Sequence, residues 1–303
     1  MVKKKRWGKK YEDKRNWKET NEKYVKRGEF LINPLFLQTW NKEIKQMNCG
    51  KVGEPYLYPN SMIEFIAYFH ARGFAYRECE GILIGISNNY KYQFPVIDYS
   101  QICRRVNLLE IDFETVEDNL VVGIDGTGEK VTNRSDWIRK KHHVEKKGWI
   151  KVVIMGTVKG KKLIVDIRVG NEDLDERKAG RGMIRKNKKK LKKVIADGLH
   201  DVRATFNVCE DDKIETAIKI RKGASRKPKH SPRRKKEVIE YQEKGYEQWA
   251  KDKEYGLRWP STEGIFSAKK RIFGEFVRAT IKRNMYKEIR RKYWFYNKLQ
   301  EIT

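Results

Sequence analysis

The sequence predicts a mixed α/β protein: a sheet with helices packed on it, preceded by an all-helical N-terminal region. Three observations carry this. From about residue 31 to 117 apolar residues recur at helical spacing, and beyond 118 the period changes to that of strands. Strand-like and helical stretches then alternate to the C-terminus, which calls for helices laid on a sheet. The 303 residues are enough for one large or two ordinary domains. They divide into a basic N-terminal arm at 1–30, a helical region at 31–117 and an α/β domain at 118–303.

In the arm, Trp7 and Trp17 interleave with Lys and Arg, and some helix is expected. Pro59-Asn60-Ser61 signals a helix start, and Met62, Phe65, Ile66 and Phe69 follow at helical spacing as far as Gly73. A second short helix is expected over Tyr76–Leu83. A third follows the cap candidate Ser100, with Ile102, Val106 and Leu109 inward and Arg104 and Arg105 off that face.

Leu120–Ile124 reads as a buried strand, and Trp149–Val158 with Lys161–Val169 as a hairpin about Lys159-Gly160. A very basic helical stretch over Leu174–Lys193 leads to a strand, Val194–Ala196, that ends at Asp197. Asp201–Val208 looks helical and Thr216–Ile220 like a strand. The Pro-bearing run at 221–236 has no apolar period and reads as a basic loop. Helices over Lys236–Lys251 and from Thr262 to the C-terminus complete the chain.

Lys and Arg number 69 against 41 Asp and Glu, a net charge of +28 spread along the chain. Such a field attracts nucleic acid, because neutralising phosphates releases condensed counterions. Three short helices with a basic third one then suit a helix-turn-helix reader of duplex DNA. No apolar stretch is long enough to span a bilayer, and the basic start lacks the apolar segment of a secretory signal. Cys49, Cys79, Cys103 and Cys209 lie too far apart for a zinc module or a disulfide framework, and are expected to be reduced core thiols.

Against this basic background stand three carboxylates on rigid mounts. Asp125 ends the run Leu120–Ile124, Asp197 ends Val194–Ala196, and Glu263 opens an amphipathic helix. Two Mg²⁺ ions about 4 Å apart, with Mn²⁺ an acceptable substitute, would activate and align a phosphodiester, and carboxylates are the hard ligands that seat them. Glycines beside the first two, in Asp125-Gly126-Thr127-Gly128 and Asp197-Gly198, leave room for a phosphate backbone. Glu263 and Lys270 are seven residues apart, so they share one helical stripe, which Gly274 continues. Arg271 and Arg278 are expected on the opposite side. Asp201 competes with Asp197 for the second position, and His200 is a candidate to support it. His142 and His143 are adjacent, so they do not point the same way, and phosphate contact or solvent suits them better than metal.

Tyr255, Arg258, Glu263 and Lys270 together resemble the Tyr-x2-Arg-x3-Glu-x6-Lys signature of insertion-sequence DDE transposases. Four positions rather than three separate Arg258 from Glu263. Val121–Gly128 is similar to the first-Asp strand of these enzymes, and Ile195–Asp201 to their second-Asp segment, with His200 where Tyr is common. Trp17–Asn21, Phe74–Leu83 and Tyr99–Arg105 resemble the helical N-terminal region of the insertion-sequence-five group. The resemblance implies an RNase H-like core and DNA transposition, with Asp125, Asp197 and Glu263 as the metal-binding triad. It implies further that Tyr255, Arg258 and Lys270 contact transposon-end DNA. Arg104, Arg105 and Arg271 join them as expected DNA contacts. The expected partners are terminal inverted repeats, target DNA and a second copy of the chain, in the cytoplasm at the nucleoid. An RNase H-like nuclease that cuts without joining, and a DNA-binding protein with a decayed core, are the alternative readings.

Overall fold

The computed structural model describes residues 16–32, 34–89, 94–113, 117–131, 149–227 and 230–302. Most of the basic arm, including Trp7, and the pair His142 and His143 lie outside them. Five helices come first: α1 (Trp17–Ile32), α2 (Phe36–Asn48), α3 (Asn60–Arg72), α4 (Tyr76–Asn89) and α5 (Tyr99–Leu108). Helix α3 stops at Gly73, whose φ of 119° takes up the left-handed cap. Asp98, not Ser100, caps α5, its side chain accepting from the N–H groups of Ser100 and Gln101.

Then follow β1 (Leu120–Val131), β2 (Trp149–Thr157), β3 (Ile164–Gly170), α6 (Glu176–Asn187), β4 (Leu191–Ala196), α7 (Arg203–Asp211) and β5 (Glu215–Ile218). The chain closes with α8 (Pro232–Asp252), α9 (Arg258–Phe273), β6 (Phe276–Val277) and α10 (Lys282–Glu301). The sheet runs β3-β2-β1-β4-β5, with β6 pairing the far end of β1. Strands β1, β2 and β3 pair antiparallel with one another, whereas β4 and β5 run parallel to β1. This is a mixed sheet of RNase H-like topology with helices on both faces. One face packs Val152, Ile154 and Ile167 against α9, α10 and the N-terminal helices in a shared core. The other packs Val122, Ile124 and Met155 against α6, α7 and α8.

Several boundaries differ from expectation, each for a tertiary reason. Strand β1 does not end at Ile124: Asp125 through Lys130 continue it because β2 pairs with every one of them. Asp125 is therefore mid-strand. The expected helix over Leu174–Lys193 stops at Asn187, since Leu191 begins the pairing of β4 with β1. The expected final helix is two helices: Gly274, at φ 76° and ψ 173°, breaks it and turns the chain into β6. Glu263 is the sixth residue of α9, because the helix already starts at Arg258 and Pro260 sits in its first turn, where no N–H is needed. The basic run is shorter than expected, with Ser231 flanking α8 and Pro232 opening it. Among the cysteines, Cys79 and Cys209 are buried, but Cys49 is exposed.

Candidate active site

Parallel pairing of β1 with β4 sets Ile124 opposite Ala196, so Asp125 and Asp197 follow one another across adjacent strands. Beyond that level β4 stops and β1 runs on. Asp197 leaves the sheet and caps a short 3₁₀ turn, one carboxylate oxygen accepting from Leu199 N–H at 2.9 Å. The side chain of Asp125 faces α9. Its Oδ2 accepts from Arg258 Nη1 at 3.0 Å and from Thr262 Oγ1 at 3.1 Å, and its Oδ1 from Gly126 N–H at 2.9 Å. Burial holds its pKa above the usual carboxylate value, and the charge of Glu176 adds to this, while Arg258 and the hydrogen bonds oppose it. The Arg258 cation thus opposes the upward push of burial on this carboxylate.

Glu263 approaches from α9, one residue beyond Thr262. Together with Asp125, Gly126, Thr127, Ser267, Lys270 and Arg271 it lines an open cleft of about 560 Å³. The shared stripe of Glu263 and Lys270 therefore faces Asp125, and Arg271 lies in the same cleft, not opposite. Gly274 ends the stripe at the helix break, and Arg278, expected on the opposite side, lies beyond α9 altogether. Arg278 instead donates to Gly73 O, and its N–H donates to Glu288 at the foot of α10. Tyr255 is buried at the start of α9. It packs beside Trp249 at 5.3 Å, lies 5.8 Å from the Arg258 guanidinium and feels the charge of Asp197.

Side chains that sequence reasoning missed hold α9 in place. Ser261 Oγ donates to Thr157 O at 2.8 Å, and Thr262 donates to Asp125 itself. Deeper in, Lys269 Nζ meets Glu129 at 2.6 Å with both side chains wholly buried, and Tyr293 donates to the same carboxylate at 3.0 Å. Burial pushes the Lys269 ammonium down to about 8. A signal existed in the sequence: Lys269 stands in the column Ile265–Lys269–Phe273, and a charge in an apolar column implies a buried partner. Glu176, on the opposite sheet face, gave no such signal. Its carboxylate packs against Gly126, where a Cβ would meet it at 2.6 Å, and it pairs with Lys151 at 3.3 Å.

The structure separates Asp201 from the cleft. Asp201 is buried, forks onto Arg234 at 2.7 and 3.1 Å, and accepts from Arg221 N–H at 3.0 Å. Arg221 also donates to the carbonyls of Gly198 and Leu199, so the start of the basic run clips onto the Asp197 turn. His200 is buried beneath Gly180, 3.9 Å from Glu176. In the helical region Arg104 is exposed on a cavity of about 620 Å³ that Arg77, Tyr99 and Arg278 also line. Arg105 turns inward, donating to Tyr58 O and Asn60 Oδ1 and covering the ring of Tyr56.

Asp125, Asp197 and Glu263 offer only hard carboxylate oxygens, the donor chemistry that suits Mg²⁺ or Mn²⁺. Among the described residues no three His, Cys, Asp or Glu side chains already converge on one point. Arg258 and Thr262 hold Oδ2 of Asp125 in this arrangement.

A mixed β3-β2-β1-β4-β5 sheet with one carboxylate on β1, a second just past the end of β4, and a third on a helix that lines the same cleft as the first, defines the class: a protein of RNase H-like fold. Residues 117–299 match a family model described as a transposase DDE domain, and residues 25–134 match a second model of the same description. The chain belongs to the DDE transposases.

Proposed function

We propose that this protein binds insertion-sequence ends in duplex DNA, cleaves a strand there and joins the freed end to target DNA. Asp125, Asp197 and Glu263 are its catalytic carboxylates. The observation that carries the reading is the register of β1 on β4, which sets Asp125 and Asp197 one residue past the paired Ile124 and Ala196, with Asp125 and Glu263 lining one cleft. In the first step water attacks a phosphodiester and a 3′-oxygen leaves as a 3′-hydroxyl. In the second that hydroxyl attacks a target phosphodiester, forming one ester and releasing another, so no covalent enzyme intermediate is required.

The three carboxylates would hold two Mg²⁺ ions, or Mn²⁺, which when bound supply Lewis-acid activation and charge neutralisation. The protein's own contribution is position and charge. Thr262 and Gly126 orient Asp125, and Arg258 offsets part of the effect of burial on its charge. Lys270 and Arg271 present cations to the phosphates in the cleft, and Tyr255 packs beside the Arg258 guanidinium. Arg104, with the helices α3 to α5, reads the ends, and Arg105 stiffens that surface from behind. Two ends cut in concert require two copies of the chain, working at the nucleoid of the cytoplasm.

The test is single-turnover cleavage and joining of end-bearing duplex with Mg²⁺. Asp125→Asn, Asp197→Asn and Glu263→Gln are each expected to slow cleavage roughly a hundredfold or more, the scale of losing one electrostatic catalytic group. Undiminished cleavage by Asp125→Asn would overturn the site. Cleavage without any joining would leave the carboxylates in place and remove the transfer step.

A further inference from the structure

The most basic segment of the chain lies away from the cleft. Ten of the seventeen residues from Arg177 to Lys193 are Lys or Arg, and none is acidic. Helix α6 buries Ala179, Gly180, Met183 and Ile184 against the sheet and turns Lys178, Arg181 and Arg185 outward, with Lys189 continuing the line. In this segment Arg177 pairs with Asp175 and Lys188 with Asp212. Lys178, Arg181, Arg185 and Lys189 have no acidic partner among the described residues. At about 1.5 Å per residue the line spans roughly 16 Å, against one phosphate for each ~1.7 Å of duplex axis.

The two glycines of α6 differ in what they explain. Gly180 is required by packing, because a Cβ there would meet His200 at 2.8 Å. At Gly182, in the middle of the basic line, a Cβ would meet nothing within 4 Å. Glycine is the poorest helix former after proline, and no neighbour inside the protein calls for it here. A bare backbone amid cations suits the close approach of a phosphodiester chain from outside.

We propose that this face of α6 is a second duplex-DNA track, on the sheet face opposite α9, and that it holds target DNA. Its line carries cations and a bare glycine but no base-reading amide or carboxylate. Asn187, the one amide of the helix, is engaged with Asp166 and Met183 O. Contact to phosphates alone positions a duplex without reading it, which suits DNA that need not carry the end sequence. The assignment to target DNA, as opposed to DNA in general, rests on the transposase reading above.

The full chain, with Lys178, Arg181, Arg185 and Lys189 changed to Ala, is titrated with duplex lacking the ends, in EDTA, at several salt concentrations. The slope of log affinity on log salt should fall by about 3 to 4, near 0.9 for each phosphate that is no longer neutralised. A control with Lys42, Lys45, Lys161 and Lys251 changed to Ala removes the same charge from other surfaces. An equal fall in both variants would overturn the track. Gly182→Glu is a better helix former, so it should keep or raise the melting temperature while weakening binding; unchanged binding would count against the close approach. With metal restored, the α6 variant should keep single-turnover cleavage at the ends and lose joining to target. Parallel loss of both would overturn the target assignment. Because the EDTA titration involves no chemistry, it reads the track even if the catalytic carboxylates are wrongly assigned.

Discussion

Asp197 and Asp201 are four residues apart and chemically identical, and only their partners separate them. Asp201 is sealed under Arg234 and the N–H of Arg221, with both oxygens engaged. Asp197 spends one oxygen on its own turn and stands level with Asp125. Opposite phenotypes should follow. Asp201→Ala leaves the half-buried Arg234 guanidinium and the Arg221 N–H without their acceptor and should cost about 1–3 kcal/mol of stability, read as a lower urea midpoint, while the folded fraction still cleaves. Asp197→Asn should leave the urea midpoint nearly unchanged and abolish cleavage. The reverse pairing of results would move the second catalytic position to Asp201. Sequence could not make this choice, because Arg234 lies 33 residues downstream and no local spacing links the two.

At the scale of elements, α9 is the part whose placement decides the site, and a buried ion pair holds it. Lys269 on α9 and Glu129 on β1 meet beneath the cleft, so removing either partner alone leaves a charge without compensation. Lys269→Met should cost about 3–5 kcal/mol, and Glu129→Gln/Lys269→Met should recover most of it, since the amide still accepts from Tyr293. A double-mutant cycle measures this, and additive losses would mean the pair is not coupled. The pH dependence has a definite sign. The Lys269 pKa is about 8 in the fold against an ordinary lysine value of 10.5, so unfolding takes up a proton between those values. Stability from this group is present above 10.5 and lost as pH falls through 8. The difference between wild type and double variant should therefore shift in favour of wild type as pH climbs from about 8; a flat difference would contradict it.

The break after α9 is equally specific. Gly274, at φ 76° and ψ 173°, occupies a region that is essentially glycine-only, so Gly274→Ala should destabilise by about 1–3 kcal/mol. A thermal melt equal to wild type would show that the turn relaxes freely. Element types were mostly legible in the sequence, because apolar period reports which face is buried. Ends were not. Asp125-Gly126-Thr127-Gly128 carries no strand-like apolar alternation and is extended only because β2 pairs beside it. Phe273-Gly274-Glu275-Phe276 continues an apparent helical period, yet β6 exists because β1 offers an edge there. The three proposed carboxylates could be picked out from their neighbours in sequence, whereas Arg258 on Asp125 and Thr262 beneath it are contacts across more than 130 residues.

The whole molecule divides its electrostatics between a basic exterior and the Asp125 carboxylate set into the sheet, and salt should separate the two. Net charge of +28 acts through phosphate contacts that release counterions, so DNA affinity falls steeply with ionic strength. With six to ten such contacts, affinity should drop by about 10³–10⁵ between 50 and 200 mM salt. Asp125 is different: its partners are a guanidinium, a hydroxyl and its neighbour's N–H at fixed distances, and its side chain is only 17% exposed. Mobile ions screen a field through solvent over roughly 8–10 Å but reach such a pocket poorly. Cleavage at saturating DNA should then vary little over the salt range that changes the half-saturating DNA concentration by orders of magnitude. Single-turnover rates at each salt concentration, with DNA raised until the rate plateaus, make the comparison. A plateau rate that falls as steeply as affinity would place the salt-sensitive contacts in the chemical step itself, among Lys270, Arg271 and the phosphates of the cleft, and not on the surface that gathers the DNA.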